Sequence, residues 1–410
     1  MTRRKFTYKV LAPHIKITLH LIPTYNTIML YSLILLGVAT AAAAAPTHHK
    51  DSDKCGGSQP TKLFATHYNG TISTLNLDLD KTGKEVLTIT SSAVACGQSP
   101  SWLSYDASGK TLYCSDEVGS LSSFKTNAAE LSLAAKVSTL GSDVASGLYG
   151  GSDGRSFIAN AHYNGNISTY ALPLSTNATV LQRIPYVQTN LSHVHQVVTD
   201  PSGRFLLAPD LGIDVVHVLT FDNTTGKLTP QADLKVDTGS GPRHVAFKII
   251  KDKTFMYLAH EVSNQVSSWE LIYSKNQTNL EFKKIGSTST FADATPPKTA
   301  ISEIRVVDDN VYVGNRNTTT TTTPTDDTLT MFNIDKATGA LKYVEQVSTH
   351  GSYPRTFAIN KAKTLVAIGN QKSSTIVVLD RDTKTGKLSQ EFVSVAIPGT
   401  AGLSSVIFAE

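Results

Sequence analysis

Five short stretches carry residue types that do chemistry at neutral pH: "SHVHQVV" with His193 and His195, "GSGPRHVAF" with Arg243, "YLAHEVSNQV" with Glu261, "YVGNRN" with Arg316 and "YPRTF" with Arg355. Guanidinium groups stay charged and grip carboxylate or phosphate through paired donors. Imidazole and carboxylate exchange protons near neutrality. Together these types suit a small anion whose reaction needs a proton moved. Alone, His193 and His195 have three readings: catalytic or substrate-contacting groups, metal ligands, or the polar rim of a β-structure. Metal binding is the weakest, because neither these two nor His217, His244 and His260 keep zinc-ligand spacing.

The chain that must position these groups has 410 residues, 40% hydrophobic and 17% charged, with a net charge of +4. That composition supports a sizeable core and excludes a chain disordered throughout. No Lys/Arg block stands out, so nucleic acid is excluded as a partner.

Residues 1–45 read as a signal peptide or leader: basic residues, an apolar run "IMLYSLILLGVATAAAAA" from Ile28, and small residues before Pro46. An uncleaved anchor is the competing reading, since 18 residues is near the lower limit of a bilayer span. Seven N-x-S/T sequons, at Asn69, Asn166, Asn177, Asn190, Asn223, Asn276 and Asn317, point independently to an exported glycoprotein, extracellular or at a cell wall. Of Cys55, Cys96 and Cys114, one pair can bridge in an oxidising compartment. Cys96 and Cys114 flank one repeat junction and are the favoured pair.

Repeats decide the fold. "HYNGTISTLNL" at residue 67 returns as "HYNGNISTYAL" at residue 162, 95 residues on. The turns at Asp106, Asp153 and Asp200 are 47 and 47 apart, half that period. Each unit reads as short strands rich in Val, Ile, Thr and Tyr, closed by turns such as "TTGKL" and "KTGKL". Four strands in a unit of this length describe a propeller blade. Strand starts near Trp102, Leu148, His195, Arg243, Ile304 and Arg355 make six blades. A seventh joins the hairpin Leu63–Leu77 to the last strand "LSSVIFAE". The expectation is an all-β, seven-bladed β-propeller over 61–410, closed by N- and C-terminal strands sharing one blade, after a polar linker at 46–60. In that register Arg243 follows His195 by 48 residues, so both face one mouth of the channel. Glu261 and Arg316 each follow a strand leading to the same mouth.

The elements H-x-H, G-P-R-H, H-E and N-R, in that order between residues 190 and 375, resemble the lactonase family of seven-bladed propellers. That family contains the propeller-type 6-phosphogluconolactonase and the fungal 3-carboxy-cis,cis-muconate lactonizing enzyme. The resemblance implies a site of one histidine, two arginines and a glutamate. The histidine lies five residues before the turn aspartate, which selects His195 ahead of Asp200 and leaves His193 a supporting, substrate-side role. The arginines match Arg243 and Arg316, the glutamate Glu261, and Arg355 repeats the Arg243 position as a further substrate-side residue. It further implies a lactonase (hydrolase) or a muconate cycloisomerase (carboxymuconate cyclase), with His195 and Glu261 as acid and base and the arginines as anion clamps. No cofactor or metal is called for; the partner is a small anionic lactone or dicarboxylate, taken by a monomer.

Two features depart from the family. "RNTTTTTTPTDD" at 316–327 replaces a compact turn with a threonine tract. The export signal separates the chain from intracellular lactones. A non-catalytic, adhesin-like glycoprotein bound to a cell wall or extracellular surface therefore stands as the alternative.

Overall fold

The computed structural model describes residues 60–410, apart from 81, 128–129, 187–190, 277, 318–326 and 400. The leader, Cys55, Asn190 and most of the threonine tract lie outside the described residues.

The described residues form seven antiparallel sheets, one per blade. The closing blade runs Leu403–Phe408, Thr61–His67, Thr71–Leu79, Glu85–Val94, from the first strand to the fourth. Its register Leu63↔Phe408 through Thr66↔Ser405 ties the first described strand to the last. The first strands of the next six blades begin at Pro100, Asp143, Val198, Pro242, Thr299 and Pro354. Closure removes the unpaired edge that an open β-array exposes.

Burial follows from stacking blades face to face. The second strands Thr111–Asp116, Phe157–His162 and Phe205–Asp210 are buried throughout, covered on both faces by neighbouring blades. The outer strand Glu85–Val94 alternates, with one face in water. The T-G-x-L turns fasten blade to blade: Tyr149 Oη donates to the Gly226 carbonyl at 2.7 Å and Tyr257 Oη to that of Gly339 at 3.1 Å, with Tyr312 and Gly386 paired likewise. Asp200 organises the D-P-S-G turn, its carboxylate accepting from the Ser202, Arg204 and Phe205 amides.

Cys96 and Cys114 are joined by a buried disulfide, with Cα atoms 5.8 Å apart. Of the described sequons, Asn69, Asn177, Asn223 and Asn276 are exposed and Asn317 is partly buried. Asn166 is different: it is buried at the start of its strand and its Nδ2 donates to the Asn164 carbonyl, so it is no accessible glycan acceptor.

Candidate active site at the channel mouth

One local device furnishes the channel. In six blades the register slips at the mouth end of the first strand, between Thr66 and His67, Pro100 and Trp102, Asp143 and Ala145, Pro242 and His244, Ile301 and Ile304, and Pro354 and Thr356. A bulge swings the skipped residue off the ladder, and the skipped residues include Ser404, Ser101, Val144, Arg243 and Arg355. In the remaining blade the first strand shortens to Val198–Thr199, behind an isolated Val194↔Asp210 bridge, and His195 fills the place. These six side chains line one constriction.

Above it opens a cavity of about 250 Å³ lined by His195, Arg243, Glu261, Arg316 and Arg355, and also by Glu117 and three tyrosines, Tyr68, Tyr163 and Tyr353. Glu261 follows the strand Lys253–His260, and its amide donates to the Gly241 carbonyl at 2.7 Å. Gly241 has φ +65°, a conformation glycine adopts without strain, and Asp214 accepts its amide at 2.8 Å. Glu261 then bridges two guanidiniums: Oε2 lies 2.7 Å from Arg243 Nε, and Oε1 3.0 Å from Arg316 Nη2. Arg243 also donates to the Ser302 carbonyl, and Arg316 to that of Ile301 at 2.7 Å while its guanidinium covers the Tyr353 ring. Each donor is therefore fixed before any ligand arrives.

Electrostatics follows from this crowding. Burial alone would raise the Glu261 carboxyl, but Arg316, Arg243 and Arg355 outweigh it and hold Glu261 below the usual carboxylate range. Burial, reinforced by Arg316, pulls Arg243 down to about 10. His195 is 5% exposed, and burial with Arg243, Arg355 and Arg316 around it keeps its imidazole neutral, well below 6.5. Its Nδ1 is buried without a hydrogen-bond partner.

His193 is not in the cavity wall. Its ring stacks on Tyr163 at 4.2 Å, and its Nδ1 lies 2.7 Å from the Tyr163 carbonyl, so it braces a cavity residue instead of meeting the ligand. Asp210, in the stretch "PDLG", anchors this segment. It accepts from the His193 and Gly212 amides at 2.7 and 3.1 Å, and His217 Nε2 lies 3.2 Å from its other oxygen. His217 Nδ1 in turn lies 3.1 Å from Asp233. This chain, buried at Asp210 and His217 and open to solvent at Asp233, holds the segment that carries His195.

The residues missed on sequence are Glu117 and the tyrosines. Glu117 takes the Tyr68 hydroxyl at 2.9 Å and lies 3.2 Å from Arg355 Nη2. A signal was present: "DEV" at Glu117 and "HEV" at Glu261 are 144 residues apart, three repeats of 48. Among the described residues no group of three or more His, Cys, Asp or Glu side chains is gathered as a metal ion requires.

The fold is thus a seven-bladed propeller whose axial mouth holds fixed guanidiniums around a neutral imidazole. The model of the family described as lactonase, 7-bladed β-propeller, matches residues 62–404, and the chain belongs to that family. It is 28% identical over 257 residues to the 6-phosphogluconolactonase of Bacillus subtilis, covering 60% of this chain and 69% of that protein. It is 29% identical over 217 residues to the 6-phosphogluconolactonase of Formosa agariphila, covering 52% and 57%. Among solved structures, the periplasmic gluconolactonase of Pseudomonas aeruginosa superposes with a TM-score of 0.69 at 24% identity, covering 84% of this chain and 98% of that one. A protein from Lactobacillus plantarum gives 0.71 at 24%, covering 86% and 100%. At that identity the structural likeness speaks for the fold.

Proposed function

We propose that this chain is an exported enzyme that hydrolyses a small lactone bearing a negative charge, at the mouth containing His195. The observation that carries the reading is the pair of guanidiniums held on Glu261 beside a buried, neutral imidazole whose Nδ1 is unpartnered. Three arginines against Glu117 and Glu261 leave one net positive charge in the wall, matched to a monoanion.

In the reaction, His195 takes a proton from water as the water oxygen attacks the lactone carbonyl carbon. The carbonyl oxygen gains charge, which Arg243 or Arg316 offsets. When the carbon–oxygen ring bond breaks, the proton returns to the ring oxygen, and the product is a hydroxy acid. Glu261, expected to share the acid–base work, has both oxygens engaged and its carboxyl held ionised; its part is to hold the two guanidiniums in place. The names of the relatives support hydrolysis over cyclisation of a muconate, and the exposed sequons support export. Purified glycoprotein assayed against a panel of sugar lactones, phosphorylated sugar lactones and 3-carboxy-cis,cis-muconate tests the reading beside His195→Ala and Arg243→Ala. No turnover above background, together with unchanged binding to cell walls in both variants, would replace it with the binding-protein alternative.

A further inference from the structure

Below the mouth the channel narrows to a void of about 10 Å³ lined by both His195 and His244, room for a single water. His244 stands edge-on to His195 at 5.0 Å between ring centroids and stacks on Trp102 at 5.4 Å. Its Nδ1 lies 3.7 Å from Glu303 Oε1. Glu303 comes from the bulge in the strand Thr299–Val307 and is fully buried. Its Oε1 accepts from the Ile304 amide at 2.9 Å and from Arg305 Nη1 at 2.7 Å, while Oε2 is buried without a hydrogen-bond partner. His195 Nδ1 and His244 Nδ1 share that condition. Buried polar atoms are normally paired, and these three belong to residues that adjoin in turn, His195 beside His244 and His244 beside Glu303.

The hydrolytic step explains why such a succession is needed. Once protonated, His195 stands among Arg243, Arg316 and Arg355, where a further positive charge is repelled. His244 is faced by Arg243, Arg305, Arg355 and His195 as well as Glu303, so it too can only pass a proton on. We propose that His195, a water in the constriction, His244 and Glu303 form a proton relay, which rests on the lactone-hydrolase reading for its proton. The proton leaves the attacking water for His195, crosses the bridging water and His244 to the Glu303 carboxylate, and returns by the same route to the ring oxygen as the ring opens. The relay ends each turnover in its starting state. His244 and Glu303 touch no substrate; they are positioning residues acting through His195.

The test uses the full chain labelled with 15N-histidine, the His195 signals being assigned with His195→Gln. Replacing Glu303 by Gln or His244 by Phe is expected to move the His195 nitrogen shifts and its titration midpoint. With a turned-over lactone, kcat is expected to fall about 100-fold with KM unchanged, and Glu303→Asp to recover part of the loss. His195 shifts and kcat unaltered in both variants, folded by near-UV circular dichroism, would overturn the relay. Should neither variant fold, the wild-type titration decides: His195 and His244 shifting together supports the relay, independent titration overturns it. If the shifts are coupled but the wild type opens no lactone, the coupling of His195 to His244 and Glu303 stands, while the hydrolase reading falls and takes with it the proton that the relay would carry.

Discussion

Glu117 Oε1 lies 3.2 Å from Arg355 Nη2, although the two residues belong to blades separated by the closing blade that carries Tyr68. The pair spans the mouth, with the Tyr68 hydroxyl on the same carboxylate oxygen and the Arg355 guanidinium 5.4 Å from the Tyr68 ring centroid. Glu117 thus offsets one of the three guanidinium charges that line the cavity.

Replacing Glu117 by Gln keeps the shape and removes that cancellation. The product hydroxy acid is expected to bind roughly 5-fold more tightly or better, because an unopposed charge at a few ångströms is worth more than 1 kcal/mol in a partly buried site. The gain should shrink as salt rises. Calorimetric titration at two ionic strengths checks this; unchanged or weaker affinity at low salt contradicts it.

Arg243→Lys tests whether the guanidinium fork matters or only its charge. A lysine ammonium lacks the planar fork that meets Glu261 and the Ser302 carbonyl at once. The expected outcome is a fall in kcat/KM of about 10²-fold to 10³-fold, with the chain still folded. Near-normal activity in the lysine variant would reduce Arg243 to a point charge.

Asp210→Ala removes the acceptor for the His193 and Gly212 amides and the partner of His217 Nε2. The segment bearing His195 should loosen, lowering kcat about 10-fold or more, since general-base efficiency depends on hydrogen-bond reach. Hydrogen exchange should rise at residues 192–195 and stay unchanged in the blade opposite. A uniform rise around the ring would make Asp210 a general stability residue instead.

The pH–rate profile follows from the burial of the site. His195 must be neutral to accept a proton, and its pKa is pushed well below 6.5, so kcat/KM should be flat through neutrality and fall only on the far acid side. Arg243, drawn down to about 10, must stay protonated, so activity should fall again as pH approaches that value. A midpoint near 6.5 on the acid limb would show that His195 is solvated or is not the base.

Blade number, closure and five cavity residues were legible in the sequence because turn aspartates, T-G-x-L turns and mouth residues recur in register. The bulges were not, because a one-residue slip such as that between Pro242 and His244 has no residue signature. The Arg355–Glu117 pair was hidden for another reason: repeat spacing gives a residue's height in its blade, not which side chains reach past the neighbouring blade. His193 went astray on neighbourhood alone, since its backbone belongs to the mouth while its ring turns to Tyr163. The Asp210–His217–Asp233 chain depends on a short strand, Leu234–Lys235, that adds to the blade out of the regular order.

Ring closure carries its own acid sensitivity. His67 Nε2 accepts the Gly402 amide at 3.0 Å and lies 3.0 Å from Ser374 Oγ, joining the first strand of the chain to the approach of the last. Burial, joined at His195 and His244 by the neighbouring arginines, lowers the pKa of His67, His195 and His244 below 6.5 and that of His260 to about 4. In the unfolded chain these imidazoles protonate near 6.5, so between 6.5 and 4 the unfolded state binds more protons than the folded one. Their contribution is complete above 6.5 and is lost as pH falls through that window. His217 opposes them: burial would lower it, but Asp210 and Asp233 raise it, so its contribution is present at low pH and lost as pH rises. The depressed imidazoles outnumber it, and urea midpoints should fall steadily from pH 7 to pH 5, each such group adding at most about 1.4 kcal/mol per pH unit. His67→Phe should cost about 1–3 kcal/mol at pH 7, through the Gly402 amide left without its acceptor, and should flatten the acid slope. A wild-type chain as stable at pH 5 as at pH 7, or a variant with an unchanged slope, would show that the closure histidine is not held neutral by burial.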